Sequence, residues 1–132
     1  MGFIGKLQAL KADITNCREI LDTIDSKSSN DFIEQALFQI NSLLEKYWNQ
    51  NFKNLLLKSS GQHTNPVNCR EPAYDITNRI ITKLGEIEKY SKKVIPNTNF
   101  NPRLVSLFKE LFTEKGRSSI QKDIDLIISC RH

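Results

Sequence analysis

Apolar residues recur at helical spacing along most of the chain, and this periodicity limits the possible folds more than any other feature. Intervals of four and three residues place side chains on one face of an α-helix. No segment alternates convincingly between apolar and polar residues, as a half-buried strand would. The sequence therefore predicts an all-α protein. The clearest example is the first segment, with apolar residues at Phe3, Leu7, Leu10, Ile14, Cys17, Leu21 and Ile24.

The second predicted helix begins at Ser29 or Asn30, either of which can cap it, and is expected to continue without interruption to about Ser59. Its apolar residues cover more than one face, so we expect a central helix that is packed on several sides. Asn51 lies among them and is expected to form a structural polar contact. The apolar residues of this segment are Phe32, Ile33, Leu37, Phe38, Ile40, Leu43, Leu44, Tyr47, Phe52, Leu55 and Leu56.

A polar connection follows from Ser59 to Glu71, and three more helices are predicted after it. Proline at the start of a helix, asparagine or serine as a cap, and glycine or proline at the end indicate their bounds. The sequence thus predicts three long and two short helices in one bundle, a single domain over residues 1–132. The bounds are Pro72 to Pro96, Asn101 to Gly116, and Ser118 or Ser119 onward, and the expected buried positions include Ile76, Ile80, Leu84, Ile87, Val94, Phe108, Phe112, Ile120, Ile124 and Ile127.

Composition excludes several classes of protein. The longest aliphatic run is three leucines, far short of the roughly 20 apolar residues that span a bilayer, and the amino terminus lacks the features of a secretion signal. The widely spaced Cys17, Cys69 and Cys130 favour free thiols in a reducing compartment. With only two histidines, the chain shows no metal-binding pattern. We therefore expect a cytoplasmic protein without membrane contact, metal or cofactor.

The charges are unevenly distributed along the chain. Up to Glu45 there are four cations and seven anions, a net charge of −3. From Lys46 onward there are 15 cations and eight anions, a net charge of +7. Such asymmetry indicates an anionic partner or a complementary protein surface.

A basic stripe is predicted on the third helix, where Arg79, Lys83, Glu86, Tyr90 and Lys93 follow one another at intervals of four and three. Cations on one face can contact phosphates, and tyrosine can stack on a base. Lysine–phosphate contacts provide affinity without reading sequence. The stripe therefore predicts binding to the backbone of single-stranded DNA or RNA. The expected nucleic-acid-binding residues are Arg79, Lys83, Lys92, Lys93, Lys53 and Lys58.

Two other interpretations of this charge stay open. Glu86 with Lys89 and Glu88 with Lys92 have the spacing of ordinary ion pairs on a solvated helix surface. The stripe could also face a protein, since complementary charge selects protein partners as well as polyanions.

The segment Lys46–Asn54 contains the only tryptophan of the chain and several amides. Aromatic and amide side chains suit protein interfaces and stacked bases alike. Trp48 also borders the apolar stripe, so it can equally belong to the core, with its N–H bonded to an acceptor. The expected protein-interface residues are Trp48, Asn49 and Tyr90.

No catalytic motif is visible. The chain has no phosphate-binding loop, no dinucleotide-binding glycine pattern, no zinc-protease motif and no nucleophile elbow. It also lacks the arginine that precedes a histidine by four to six residues in helical ribonucleases of the HEPN type. His63, in the polar connection near Cys69 and Arg70, has no visible catalytic companion. We therefore expect a protein that is not an enzyme and has no small-molecule substrate.

In helix number, size and basic charge, and in its lack of catalytic residues, the chain resembles the small subunits of CRISPR effector complexes. The resemblance implies a non-catalytic, sequence-independent nucleic-acid-binding subunit of a larger ribonucleoprotein assembly. It also implies contacts with other subunits and, head to tail, with copies of itself. Arg79, Lys83, Lys92 and Lys93 would then contact the strand, and Trp48 a neighbouring subunit.

Two other functions stay open. One is a protein-binding adaptor or inhibitor of the phage or plasmid type, which presents a charged helical surface to a protein. The other is a small basic oligomer that accompanies a reverse transcriptase or another mobile element. The first would bind a protein tightly and bare nucleic acid poorly, whereas the second would form a closed ring in isolation.

Overall fold

Helices make up nearly all of what the computed structural model describes, namely residues 2–25, 27–62, 72–94, 106, 108–112 and 120–130, without the side chains of residues 61, 62, 93, 94 and 130. No strand occurs within these ranges, and the all-α prediction is confirmed. Residues 108–110 are also helical. The principal elements are α1 (Phe3–Asp22), α2 (Asn30–Leu44), a 3-10 helix (Glu45–Tyr47), α3 (Gln50–Gln62), α4 (Ala73–Val94) and α5 (Ile120–Cys130).

The helices pack as a bundle around an apolar core. α1 packs against α2 and α5, while α4 packs against α3 and α5. Further contacts join α2 to α4 and α1 to α3. All seven apolar residues predicted for the face of the first helix are buried, as expected for an amphipathic helix whose stripe is removed from water. The bundle prediction is therefore confirmed.

The apolar stripes predicted in the second half of the chain also lie in the core. The rings of Phe108 and Phe112 are buried and pack edge to face, with centroids 5.2 Å apart. The side chain of Val94 and the helix ends predicted at Asn101, Gly116 and Ser118 lie outside the described part. The other buried residues of these stripes are Ala73, Ile76, Ile80, Leu84, Ile87, Ile120, Ile124 and Ile127.

The prediction of one uninterrupted second helix is wrong, because the segment divides into α2, the 3-10 helix and α3. Asn49 accounts for the break. Its Oδ1 accepts a hydrogen bond from the backbone N–H of Phe52 at 2.7 Å, and its side-chain amide donates to the carbonyl of Lys46 at 3.0 Å. These bonds satisfy backbone groups that the ends of two helices would otherwise leave without partners.

The structure confirms the predicted start of this segment but not its predicted end. The start at Ser29 is confirmed, since its Oγ accepts a hydrogen bond from the backbone N–H of Phe32 at 3.2 Å. The start of the polar connection at Ser59 is wrong, because α3 continues to Gln62.

The expectation that this segment is packed on several sides is also wrong. Phe38 is 63% exposed, Leu55 48% and Phe32 44%. Asn51 is exposed as well and does not lie in the buried stripe. The reason is that α2 and α3 each turn a single face to the core and leave the residues of the opposite face in solvent.

Candidate functional site

Arg79 and Lys83, the first two cations of the predicted stripe, both contact Asp123 on α5. Nη2 of Arg79 lies 3.2 Å from Oδ1 of Asp123, and Nζ of Lys83 contacts the other carboxylate oxygen. The side chain of Asp123 is 7% exposed, against 17% for Lys83 and 40% for Arg79. A carboxylate with so little water around it needs nearby cations to offset its lost hydration. These two cations therefore hold α4 to α5.

Lys53 and Lys92 surround a second carboxylate, that of Glu88 on α4. Nζ of Lys92 donates to Oε2 of Glu88 at 2.9 Å, and Nζ of Lys53, on α3, lies 3.8 Å from Oε1. The side chain of Lys53 is 15% exposed, whereas that of Lys92 is 69% exposed. Lys53 is therefore engaged between α3 and α4, while Lys92 stays accessible to a ligand.

The two ion-pair groups lie on different flanks of α4, one next to α5 and the other next to α3. Consecutive helical residues are about 100° apart, which separates Lys83 from Glu88 by about 140° around the axis. Arg79 and Lys83 therefore do not share a surface with Lys53 and Lys92.

The remaining residues of the predicted nucleic-acid site lie elsewhere. Lys58 is exposed on α3, whereas the side chain of Lys93 is outside the described part. Lys89, which the sequence pairs with Glu86, is exposed on α4. Exposed cations near the stripe are therefore Lys58, Lys89 and Lys92, and they come from two helices.

The three residues predicted as a protein interface have different roles. Trp48 is half-buried against the core, and its buried Nε1 has no hydrogen-bond partner among the described residues. Tyr90 also packs against the core. Asn49 is exposed and caps α3. The packing of Trp48 agrees with the core alternative, although no described residue accepts a hydrogen bond from its N–H.

Sequence reasoning missed the outer face of α2, the surface formed by Asp31, Glu34, Gln35, Phe38, Gln39 and Ser42 together with Glu45, the C-cap of α2 and first residue of the 3-10 helix. The helix turns Leu37, Ile40 and Leu44 to the core, and the outer face lies opposite them. At its centre, Phe38 is the most exposed large apolar residue among those described. A signal was available, since the residues three and four positions before and after Phe38 are all polar.

The outer face of α2 is acidic. From Asn30 to Glu45 the chain contains three anions and no cation. Asp31, Glu34 and Glu45 are exposed and have no ion-pair partner among the described residues. Part of the face lines an open depression of about 520 Å³. The result is an aromatic ring between unpaired carboxylates, with Asp31 and Glu45 each seven residues away from Phe38.

A third polar group joins α1 to the 3-10 helix. The hydroxyl of Tyr47 donates to Asp13, and Nζ of Lys46 lies 3.0 Å from the same carboxylate oxygen. Cys17, a free and buried thiol, follows one turn along α1. Burial, and then the charge of Asp13, raise the pKa of Cys17 to about 12. The pKa of Tyr47 is also raised, mainly by burial and then by its bond to Asp13. A thiol held neutral in this way is inert as a nucleophile.

Across the described ranges, no group of three or more histidine, cysteine, aspartate or glutamate side chains could hold a metal ion. Within the same ranges, no helix has the length and apolar character needed to cross a bilayer. His63, Cys69 and Arg70, which the sequence places close together in the polar connection, lie outside the described residues.

Comparison of the chain with protein-family models, with curated proteins and with solved structures finds no match.

Proposed function

We propose that this chain is a non-catalytic protein-binding module, an adaptor or inhibitor, whose partner contacts the outer face of α2. The observation that carries the proposal is the 63% exposure of Phe38 at the centre of that face. Covering an aromatic ring of this size contributes roughly 1.5–3 kcal/mol to association. Aromatic residues in such positions are typical anchors of protein interfaces.

The position of Phe38 matters more than its exposure, because single exposed apolar residues are common on monomers. It lies opposite the buried stripe of α2, so its exposure does not result from a partly filled core. Its neighbours on the outer face are polar or acidic, and the exposed Asp31, Glu34 and Glu45 have no cation partner in the described part. Both the ring and the carboxylates are therefore available to the same partner.

Photo-crosslinking in the native cells tests the proposal. A benzophenone amino acid replaces Phe38 in one variant and Glu19, exposed on α1, in a matched control. We expect a discrete crosslinked protein band from position 38 and none from position 19. The absence of a band from position 38, or the same band from both positions, would contradict the proposal.

Nucleic-acid binding is the second candidate function, favoured by a specific observation. Lys58, Lys89 and Lys92 are exposed on α3 and α4, in the part of the chain with a net charge of +7. Lysines in such positions can bind phosphates without reading sequence. In this alternative the chain is a backbone-binding subunit of a ribonucleoprotein, as its resemblance to CRISPR small subunits implies. Arg79 and Lys83 would contribute less than predicted, because Asp123 engages both.

A salt series with fluorescent single- and double-stranded DNA and RNA tests this second candidate. The variant is Lys58→Glu/Lys89→Glu/Lys92→Glu, and each of its single changes is compared with Lys27→Glu, an equal change of charge at an exposed lysine before α2. If these lysines bind phosphates, wild-type affinity falls steeply with salt, and the triple variant loses both affinity and most of the salt dependence. Unchanged affinity in the triple variant would remove these lysines from the site.

A further inference from the structure

We infer that the partner of the outer face of α2 is a basic helix that presents one apolar side chain between two cations. This inference rests on the proposed function and specifies the chemistry of the partner. It is carried by the arrangement of three exposed residues on one face, Asp31, Phe38 and Glu45.

The spacing of these residues favours a helical ligand. Asp31 and Glu45 are each seven residues from Phe38, which corresponds to about 10 Å along the helix on either side. Seven residues are close to two helical turns, so all three side chains lie on the same face. A second helix packed along α2 has the same repeat, and its residues seven positions apart can meet all three.

The charge of the face determines the charge of the ligand. Asp31, Glu34 and Glu45 form no ion pair with the described residues, and no cation occurs from Asn30 to Glu45. Lysine or arginine opposite these carboxylates would be attracted, whereas acidic peptides and nucleic acids would be repelled. Because exposed charges are screened, we expect affinity to fall as salt is added.

The α3 helix of a second copy fits the face less well. On α3, Leu55 is exposed and Lys58 lies three residues after it, so one apolar residue and one cation are available. The other lysine of α3, Lys53, is 15% exposed and engaged with Glu88. The second exposed cation that the inferred pattern requires is therefore missing from α3.

A peptide titration of the isotope-labelled full chain, followed by two-dimensional NMR, tests the inference. The probe is an alanine-based helical peptide of about 15 residues with leucine at its centre and lysine at both ends, plus a third lysine one turn from one end to meet Glu34. Two control peptides have the same length. One replaces each lysine with glutamate, and the other keeps the composition but moves the leucine to the opposite helix face.

We expect saturable shifts of the amide signals of α2 with the basic peptide, and at least about tenfold weaker binding of both control peptides. In the protein, Phe38→Ala and Glu34→Lys should each weaken binding severalfold, while Lys58→Glu should not. All three positions are exposed, so the fold should survive each change.

Three results would overturn the inference: no shift with the basic peptide, equal binding of the peptide with the relocated leucine, or shifts that map away from α2. Shifts of the α2 signals that depend on protein concentration without any peptide would assign the face to a second copy. A crosslinked band from position 38 together with a failed titration would leave the proposed function standing and reject only the basic helix.

Discussion

The outer face of α2 and the two flanks of α4 are both rich in charge, but among the described residues only the charges on the flanks of α4 have partners. On α4, Asp123 and Glu88 are each contacted by two cations, across the contacts with α5 and α3. On α2, the carboxylates have no such partners among the described residues, and Phe38 lies between them in solvent. A cation that is paired with a buried carboxylate cannot be removed without a loss of stability, whereas unmatched charge beside an aromatic ring is available to another molecule.

The comparison also shows why counting charges along a sequence can misplace a site. Residues from Lys46 onward carry a net charge of +7, yet two of the cations in the predicted stripe compensate a carboxylate that the sequence places 40 or more residues away. The net charge of a helix does not reveal such pairings, because they form only when the helices pack. The acidic part of the chain, up to Glu45, has a net charge of smaller magnitude, yet it contains the surface that is more accessible to another molecule.

The charge reversal Arg79→Glu/Lys83→Glu is one of the two changes expected to destabilise the fold most. It would leave Asp123, 7% exposed, beside two new anions in place of two cations. Removing the partner of a buried charge typically costs 3–5 kcal/mol, and partial exposure of Arg79 places the expected loss near about 3 kcal/mol. Urea unfolding followed by circular dichroism measures it.

The control for this reversal is Lys58→Glu/Lys89→Glu, which changes the net charge by the same amount at two exposed positions. We expect its unfolding free energy to stay within about 0.5 kcal/mol of wild type. Equal losses in the two double variants would mean that net charge, and not the contact with Asp123, determines stability. The distinction between matched and unmatched cations would then fail.

Two adjacent residues of α2 should respond very differently to truncation. Leu37 is 1% exposed and Phe38 is 63% exposed, although they are adjacent in the sequence. Leu37→Ala should cost about 2–5 kcal/mol of unfolding free energy, because it removes buried methyl groups and leaves a cavity. Phe38→Ala should cost less than about 0.5 kcal/mol. A large loss at Phe38 in thermal or urea unfolding would show that its ring supports the fold, and would contradict its assignment to an interface.

An effect smaller than those of the charge reversal and of Leu37→Ala is expected from the polar group around Asp13, whose charge is also matched within the chain. The pKa of Cys17 is raised from 9.0 to about 12 in the folded protein, so the unfolded thiol ionises first as pH rises. The contribution of the Cys17 thiol to the free energy of unfolding is fully present below about pH 9 and decreases progressively toward pH 12. At pH 10 it has fallen by about 1.4 kcal/mol. The raised pKa of Tyr47 acts in the same direction.

The alkaline loss is measured as the difference in unfolding free energy between pH 7 and pH 10. Cys17→Ala removes one titrating group, so its difference should be smaller than that of wild type, whatever its stability at pH 7. In wild type, thiol reagents should modify Cys17 only under unfolding conditions, since its side chain is fully buried. Rapid modification of Cys17 in the folded protein, or equal pH differences in both proteins, would contradict the raised pKa.

Most of the fold was predictable because amphipathic periodicity is a local property. The stripes of α1, α4 and α5 repeat at intervals of three and four, and burial follows that spacing. The break between α2 and α3 was missed, although Asn49 is a residue type that caps helices. The surrounding apolar residues continue across it, and their periodicity concealed the cap.

The candidate site was predictable only in part. The polar residues around Phe38 were visible in the sequence, and they indicate an exposed aromatic position. The roles of Arg79 and Lys83 were not visible, since nothing in α4 indicates that Asp123 of α5 lies beside them. The same holds for the contact of Lys53 with Glu88 across α3 and α4.

The helical fold, the buried faces of α1, α4 and α5, and the opposite net charges of the two parts of the chain all follow from the sequence, because they depend on neighbours within a few residues or on composition alone. The sequence does not reveal which charges are compensated and which apolar residues are left in solvent. Those outcomes depend on contacts between helices far apart in the sequence, and a buried carboxylate takes its cations from whichever helix packs beside it.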